Sequence, residues 1–384
     1  MVLDTVPVRR ARKTERVWLS EAMGRVLGED VLADRDMPPM ARSLRDGFAV
    51  RGANLPGVLR VKGEVKAGEM PTRAVGAGEA FRIMTGAVIP EGADAVLMKE
   101  HVAVEGDVLR VEREAQAREW ISEAGSMAKE GEAVARLGRV VDSSVVAMCA
   151  SVGRSQVEVF ERPVVRILST GDEVLDIARK PNATQVRNSN AWALAADVRQ
   201  FGGTAEILPV APDEEKATRE LIEYGLAADL LLISGGVSAG DYDFVEVALA
   251  NLGAEFYFDR VLIQPGQPTV FGKAKGTYFF GLPGNPLSTW VTFRVFAQAA
   301  LERLAGMDTD KPFAESAPMA KAYRHKAGLT RFLPGLRDAT GAVEILAWQG
   351  SGDIPALVRA NAIVMVDADR EAWEVGDRIG VLPK

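Results

Sequence analysis

The sequence has little of what disulfide and soft-metal chemistry needs: one cysteine, Cys149, and two histidines, His101 and His325. A single thiol excludes an intramolecular disulfide framework and any multi-cysteine zinc or iron–sulfur site. Two histidines form no cluster of soft ligands, so a metal is expected to be a hard ion held by oxygens, such as Mg²⁺. No apolar run approaches the ~20 residues of a membrane span. The opening Met-Val-Leu-Asp, followed by the basic stretch at 9–13, lacks the apolar core of a secretory signal. A cytoplasmic protein is expected. Positive charge is also short, since 46 Lys and Arg against 53 Asp and Glu leave a net charge of −7. That balance disfavours nucleic acid and anionic membranes as partners.

Glycine, by contrast, is abundant. Its 37 positions exceed the usual share of about 7%, which points to tight turns or backbone-lined loops. The 384 residues correspond to about two to three domains. Apolar spacing predicts a short helix at 20–27 (SEAMGRVL) and another at Ser143–Ser151, closed by Gly153. From Asp46-Gly47 to about residue 118, glycine-punctuated runs with period-2 alternation (GVLRVKGEV, GEAFRIMTGAVI, ADAVLMKEHVAV, DVLRVEREA) predict a small β-rich domain. In 158–306, non-alternating strand-like runs (VVRILS, DLLLIS, TYFFGL) are separated by helical ones. This pattern predicts a doubly wound parallel sheet covered on both faces, with the ligand beyond the carboxyl ends of its strands. After 306 only short strands are expected. The fold class is therefore α/β plus β and multidomain. It comprises a mixed, elongated linker or dimerisation domain (1–33 with 119–157), an inserted β-rich domain (34–118), the α/β domain (158–306) and a small β-barrel-like domain (307–384).

Three strand ends in the α/β region carry polar, glycine-rich loops. The first holds Thr170, Gly171, Asp172 and Glu173. The second holds Ser234, Gly235, Gly236, Ser238, Gly240, Asp241 and Asp243. The third holds Pro283, Gly284, Asn285, Pro286 and Ser288. Glycine turns at helix N-termini present N–H groups suited to phosphate, and none of these loops matches a Walker or GxGxxG pattern. Glycine can also serve the turn alone and the hydroxyls the helix cap. The acids can be N-caps or ion-pair partners. Carboxylates beside a phosphate site otherwise call for a bridging divalent cation, so the combination indicates phosphate, Mg²⁺ and phosphoryl or nucleotidyl chemistry. By composition, Asp46-Gly47 and Thr85-Gly86 read as turns. Trp192 and Trp290 read as helix core, His101 as a surface residue, and Cys149 as a buried inert thiol.

Several segments, in order from about residue 17 to the end, carry a family resemblance: SEAMGRVLGEDVLA, RSLRDGFAV, RIMTGAVIPEGADAVLMKE, ILSTGDEV, RNSNAWALAADVRQFGG, SGGVSAGDYDF, FGLPGNPLSTWVTF and QGSGDIPALVRANAIV. Together they resemble the molybdopterin molybdenumtransferase family, the molybdenum-insertion proteins that include the insertase half of gephyrin. The resemblance implies a Mg²⁺-dependent reaction of molybdate with adenylylated molybdopterin, in which AMP is released and molybdenum ends on the pterin dithiolene. It implies roles for Asp46, Thr85, Glu173, Asp213 and Asp243 in catalysis, and for Glu173, Asp241 and Asp243 in holding the metal. The loop residues named above would bind the pterin substrate. It further implies an elongated homodimer, with each site formed between the α/β domain of one chain and the β-rich domain of the other. A transient contact with the adenylyltransferase of the same pathway is also implied. The chain departs from the family at Gly125-Ser126-Met127, where Gly-Glu-Asp is usual, and at Gln264-Pro265-Gly266-Gln267-Pro268, where Lys-Pro-Gly-Lys-Pro is usual. A neutral amide in place of an ammonium holds an oxyanion more weakly. The rival expectation is a non-catalytic molybdopterin-binding or scaffold paralogue.

Overall fold

The computed structural model describes residues 1–9, 13–236, 244–308 and 315–384. The chain divides into two compact units. One comprises Met1–Glu15, Gly24–Gly28 and Glu158–Lys384, and the other Arg16–Met23 and Glu29–Val157.

In the first unit, strands Thr204–Ile207, Val164–Ser169, Leu230–Ser234, Thr277–Leu282, Val270–Ala274 and Glu255–Phe258 form one sheet in that spatial order. The first four are parallel. The last two add antiparallel at one edge of the parallel sheet. The Val270–Ala274 strand escaped the sequence reading because Gly272 and Lys273 interrupt its apolar run. Alternate residues face two separate cores. Val165, Ile167, Leu230, Leu232 and Phe280 pack on one side, and Leu168, Leu231, Ile233 and Phe279 on the other. That double burial explains why these strands lack polar alternation.

Helices Ser189–Gln200 and Glu215–Gly225 follow the pattern, and the helix after the third loop runs Pro286–Thr292, then a π-helical Phe293–Ala297, then Gln298–Leu304. Trp290 is buried, as expected. Trp192 is not core: 51% of it is exposed, because it lies to the side of the helix face on which Ala191, Leu194, Ala195 and Val198 fill the core. A second sheet orders strands Ile263–Gln264, Thr330–Arg337, Ala362–Val366, Arg378–Pro383 and Glu315–Pro318, with cores on both faces. It carries one short helix, Ile354–Arg359.

In the second unit a six-stranded sheet takes the order Ala95–Met98, Gly47–Val50, Glu79–Ile83, Gly57–Val65, Val108–Val111 and Ala103–Glu105. Ala49 and Ile83 face one core, while Phe48 and Val50 face another. The helix Ser143–Ser151 has its expected bounds, set by the Asp142 carboxylate accepting from the Val145 N–H at 2.9 Å. Cys149 is buried on it, and burial pushes its thiol pKa up. His101 is exposed. The helix expected at 20–27 is absent. Only a 3₁₀ turn, Leu19–Glu21, forms, because Gly24 takes φ +72° and ends any helical run. The described residues contain no helix long and apolar enough to cross a membrane.

Candidate active site at the sheet rim

Strands Val164–Ser169, Leu230–Ser234 and Thr277–Leu282 run parallel and in register, with Ser169 beside Ser234 and Ser234 beside Leu282. Their loops therefore leave the sheet side by side. There they border a cavity of about 910 Å³. Its lining brings together Thr170, Gly171, Glu173, Asp213, Ser234, Gly235, Gly236, Gly284, Asn285 and Pro286 from the sequence candidates. Asp172, Pro283 and Ser288 are not among the lining residues. Instead Asp172 accepts from the Asp213 N–H at 3.1 Å, and the Pro283 carbonyl accepts from the Thr289 hydroxyl at 2.5 Å. Ser288 is buried and borders a neighbouring pocket. Ser238, Gly240, Asp241 and Asp243 lie outside the described residues.

Two glycines are dictated by the geometry. Gly171 takes φ +121°, and a Cβ there would meet the Glu173 carboxylate at 2.5 Å. Gly235 takes φ +93°, and its Cβ would meet the Thr170 hydroxyl at 2.9 Å. Both combine a left-handed backbone with close approach.

The rim is held by two asparagines that the sequence reading did not assign to the site. Asn188 caps helix Ser189–Gln200 through the Ala191 N–H and accepts from the Ser169 hydroxyl at 2.9 Å. Asn190 donates to the Ser234 hydroxyl at 2.9 Å and to the Gly284 carbonyl at 2.8 Å, tying the second loop to the third. Their signal was the RNSN run immediately before a helical pattern. The amides of Thr170, Gly171 and Gly235 donate to the carbonyls of Ser234, Ala211 and Leu282. These three N–H groups, expected to face an anion, are spent on holding the loops together. Donors toward the cavity are instead the Thr170 and Ser234 hydroxyls and Arg187, the cation of the lining. Arg187 Nε is anchored to the Ile177 and Arg179 carbonyls, leaving its terminal nitrogens for the cavity.

Among the described residues no three His, Cys, Asp or Glu side chains are grouped closely enough to hold a metal. The cavity's carboxylates, Glu173 and Asp213, are oxygen donors of the class a hard cation takes.

In the second unit, Asp46 and Thr85 meet. One Asp46 carboxylate oxygen accepts from both the N–H and the hydroxyl of Thr85 at 2.8 Å. Lys99 Nζ lies 4.0 Å from the other. The Thr85 hydrogen bonds, with a smaller contribution from the Lys99 charge, lower the Asp46 pKa. The pair thus fixes the Asp46 carboxylate against Thr85, 39 residues along the chain.

Residues 1–153 match the model of the MoeA N-terminal region (domain I and II), 166–303 that of a probable molybdopterin binding domain, and 316–384 that of the MoeA C-terminal region (domain IV). The molybdopterin molybdenumtransferase of Staphylococcus epidermidis is 30% identical over 381 residues, covering 96% of this chain and 91% of that protein. Its Staphylococcus aureus Mu50 counterpart is 29% identical over 377 residues, covering 95% and 90%. The crystal structure of the molybdopterin biosynthesis moeA protein from Pyrococcus horikoshii OT3 aligns with a TM-score of 0.81 at 28% identity, covering 100% of this chain and 97% of that one. The chain belongs to the molybdopterin molybdenumtransferase family of molybdenum cofactor biosynthesis.

Proposed function

We propose that this protein is a transferase that inserts molybdenum from molybdate into adenylylated molybdopterin, with Mg²⁺-dependent release of AMP. The observation that carries the reading is the convergence of three strand-end loops, two carboxylates and one arginine on a single cavity. A diphosphate needs both attraction and a proton acceptor. Arg187 and the hydroxyls of Thr170 and Ser234 bind its oxygens. Cleavage adds water across the anhydride: oxygen joins one phosphorus, and the other phosphate leaves with the bridging oxygen. Glu173 takes the proton of that water at its carboxylate, and Asp213 keeps the loop facing the substrate. Magnesium, when bound, supplies positive charge at the diphosphate. Glu173, Asp241 and Asp243 would hold it.

In this reading the chain works as the four parts 1–33 with 119–157, 34–118, 158–306 and 307–384. It acts as a homodimer in which the Asp46–Thr85 pair of one copy completes the cavity of the other. A tightly hydrogen-bonded anion beside Lys99 suits orientation of a polar substrate rather than packing.

The test is to incubate purified protein with adenylylated molybdopterin, Mg²⁺ and molybdate and to quantify AMP. Molybdate-dependent AMP release that falls by about 10²-fold or more in Glu173→Gln supports the proposal. Binding of the pterin without AMP release supports the scaffold alternative. Unchanged turnover in Glu173→Gln removes Glu173 from the chemistry.

A further inference from the structure

Ser169 and Ser234 end neighbouring parallel strands in register, and both line the cavity at the sheet rim. Registered residues of a parallel pair project to the same face, so the two hydroxyls stand side by side there, each only 3% exposed. A hydroxyl carries one proton and two lone pairs. What each serine can offer a ligand therefore depends on which of these its protein neighbour takes.

The start of helix Ser189–Gln200 gives each serine a different neighbour. Asn188 Oδ1 accepts from the Ala191 N–H at 3.2 Å. A backbone N–H can only donate, so the atom facing it is the amide oxygen, and this oxygen also accepts from the Ser169 hydroxyl at 2.9 Å. Asn190 Nδ2 faces the Gly284 carbonyl at 2.8 Å. A carbonyl can only accept, so the atom facing it is the amide nitrogen, and this nitrogen also donates to Ser234 Oγ at 2.9 Å. Turning either amide over would set donor against donor or acceptor against acceptor. Ser169 has thus spent its proton. Ser234 has spent a lone pair and kept its proton, which no acceptor among the described residues takes. The Gly235 N–H beside it is committed to the Leu282 carbonyl.

We propose that Asn190 is a positioning residue: by donating to Ser234 Oγ it makes that hydroxyl an obligate donor toward the cavity, where it binds an oxygen of an oxyanion. Ser169, its proton taken by Asn188, presents lone pairs and adds nothing to the hold on an anion. That the oxyanion is the diphosphate of the pterin substrate rests on the insertase reading, whereas the polarity of the two hydroxyls does not. Without Asn190 the Ser234 hydroxyl is free to rotate, and the donor is no longer set before the ligand arrives.

The experiment is calorimetric titration of the full chain with inorganic pyrophosphate, with urea unfolding as the check on folding. Variants are Ser234→Ala, Asn190→Ala, Asn190→Leu, and each Asn190 variant combined with Ser234→Ala. Ser234→Ala is expected to weaken binding about tenfold or more, as loss of a charge-assisted contact implies, and Asn190→Ala about threefold or more. In the Ser234→Ala background the Asn190 variants change affinity by less than about twofold, because the hydroxyl through which Asn190 acts is gone. A residue that merely tied the second loop to the third would weaken binding equally in both backgrounds. Should Asn190→Ala fail to fold, Asn190→Leu, which keeps the volume and has no donor, carries the same comparison. Absence of pyrophosphate binding in the wild type, unchanged affinity in Ser234→Ala or in the Asn190 variants, or additive losses in the combined variants overturns the proposal. Coupled losses in a protein that releases no AMP would sink the insertase reading and leave this assignment standing, and AMP release with additive losses would do the reverse.

Discussion

Asp197 offers a quantitative test of how the first unit holds together. It sits on helix Ser189–Gln200, only 8% exposed, with its Oδ2 buried and without a hydrogen-bond partner. Desolvation raises its pKa from 3.8 to about 6, against the opposing pull of Arg294 and Lys384. Arg294 stacks over Phe201 at 4.8 Å and Trp290 at 5.3 Å and donates to the Pro383 carbonyl. Lys384 donates to the Leu357 and Ala360 carbonyls. At about 1.4 kcal/mol per pKa unit, the shift corresponds to on the order of 3 kcal/mol. The sign follows from proton linkage. Between pH 3.8 and about 6 the folded chain keeps a proton that the unfolded chain has released, so stability falls as pH rises through that window. The deficit is complete above about pH 6. Asp197→Asn removes the buried charge and also the attraction to the two cations. It is therefore expected to stabilise the unit by on the order of 1–3 kcal/mol at about pH 7.5 and by almost nothing at about pH 3, below both pKa values. Paired urea titrations of wild type and variant at the two pH values measure this. Equal destabilisation of Asp197→Asn at both would show that Asp197 is a well-paired anion in the fold and refute the reasoning.

Other outcomes follow from the sites described. Gly171→Ala is expected to cost about 1–2 kcal/mol in backbone strain and to displace Glu173, so denaturation midpoint and AMP release should fall together. Thr85→Val removes one of the two hydrogen bonds that orient Asp46 while keeping its shape. It should lower kcat/KM about tenfold without changing stability, and Thr85→Ser should recover most of the loss. Asp142→Ala should lower the unfolding midpoint of the second unit through loss of the helix cap, whereas Asp142→Asn should stay near wild type.

Much of the fold was legible where one physical signal dominated. Val164–Ser169 and Thr277–Leu282 were read at their observed bounds, and Leu230–Ser234 one residue early at 229, because burial on both faces leaves an uninterrupted apolar run. Ser143–Ser151 was readable from its apolar run and closing glycine. Residues 20–27 show the limit of periodicity. Ala22, Val26 and Leu27 are buried as an amphipathic pattern demands, yet Gly24 turns the chain between them. Trp192 was misplaced because apolar identity alone does not say which face of a helix the core takes. At the site, glycines betrayed the loops, since few other residues reach φ +121° or +93°. The roles of Asn188 and Asn190 depend on partners 19, 44 and 94 residues away, and local pattern carries no trace of such distances.

The account stands most on one site being completed by two copies of the chain. Mixing Asp46→Asn with Glu173→Gln protein after subunit exchange puts that to a direct measurement of AMP release. Each variant alone is expected to be inactive. In a symmetric dimer with shared sites, half the exchanged dimers are mixed and each contains one intact site, so activity should return to about a quarter of wild type. A mixture as inactive as its components would contradict the account.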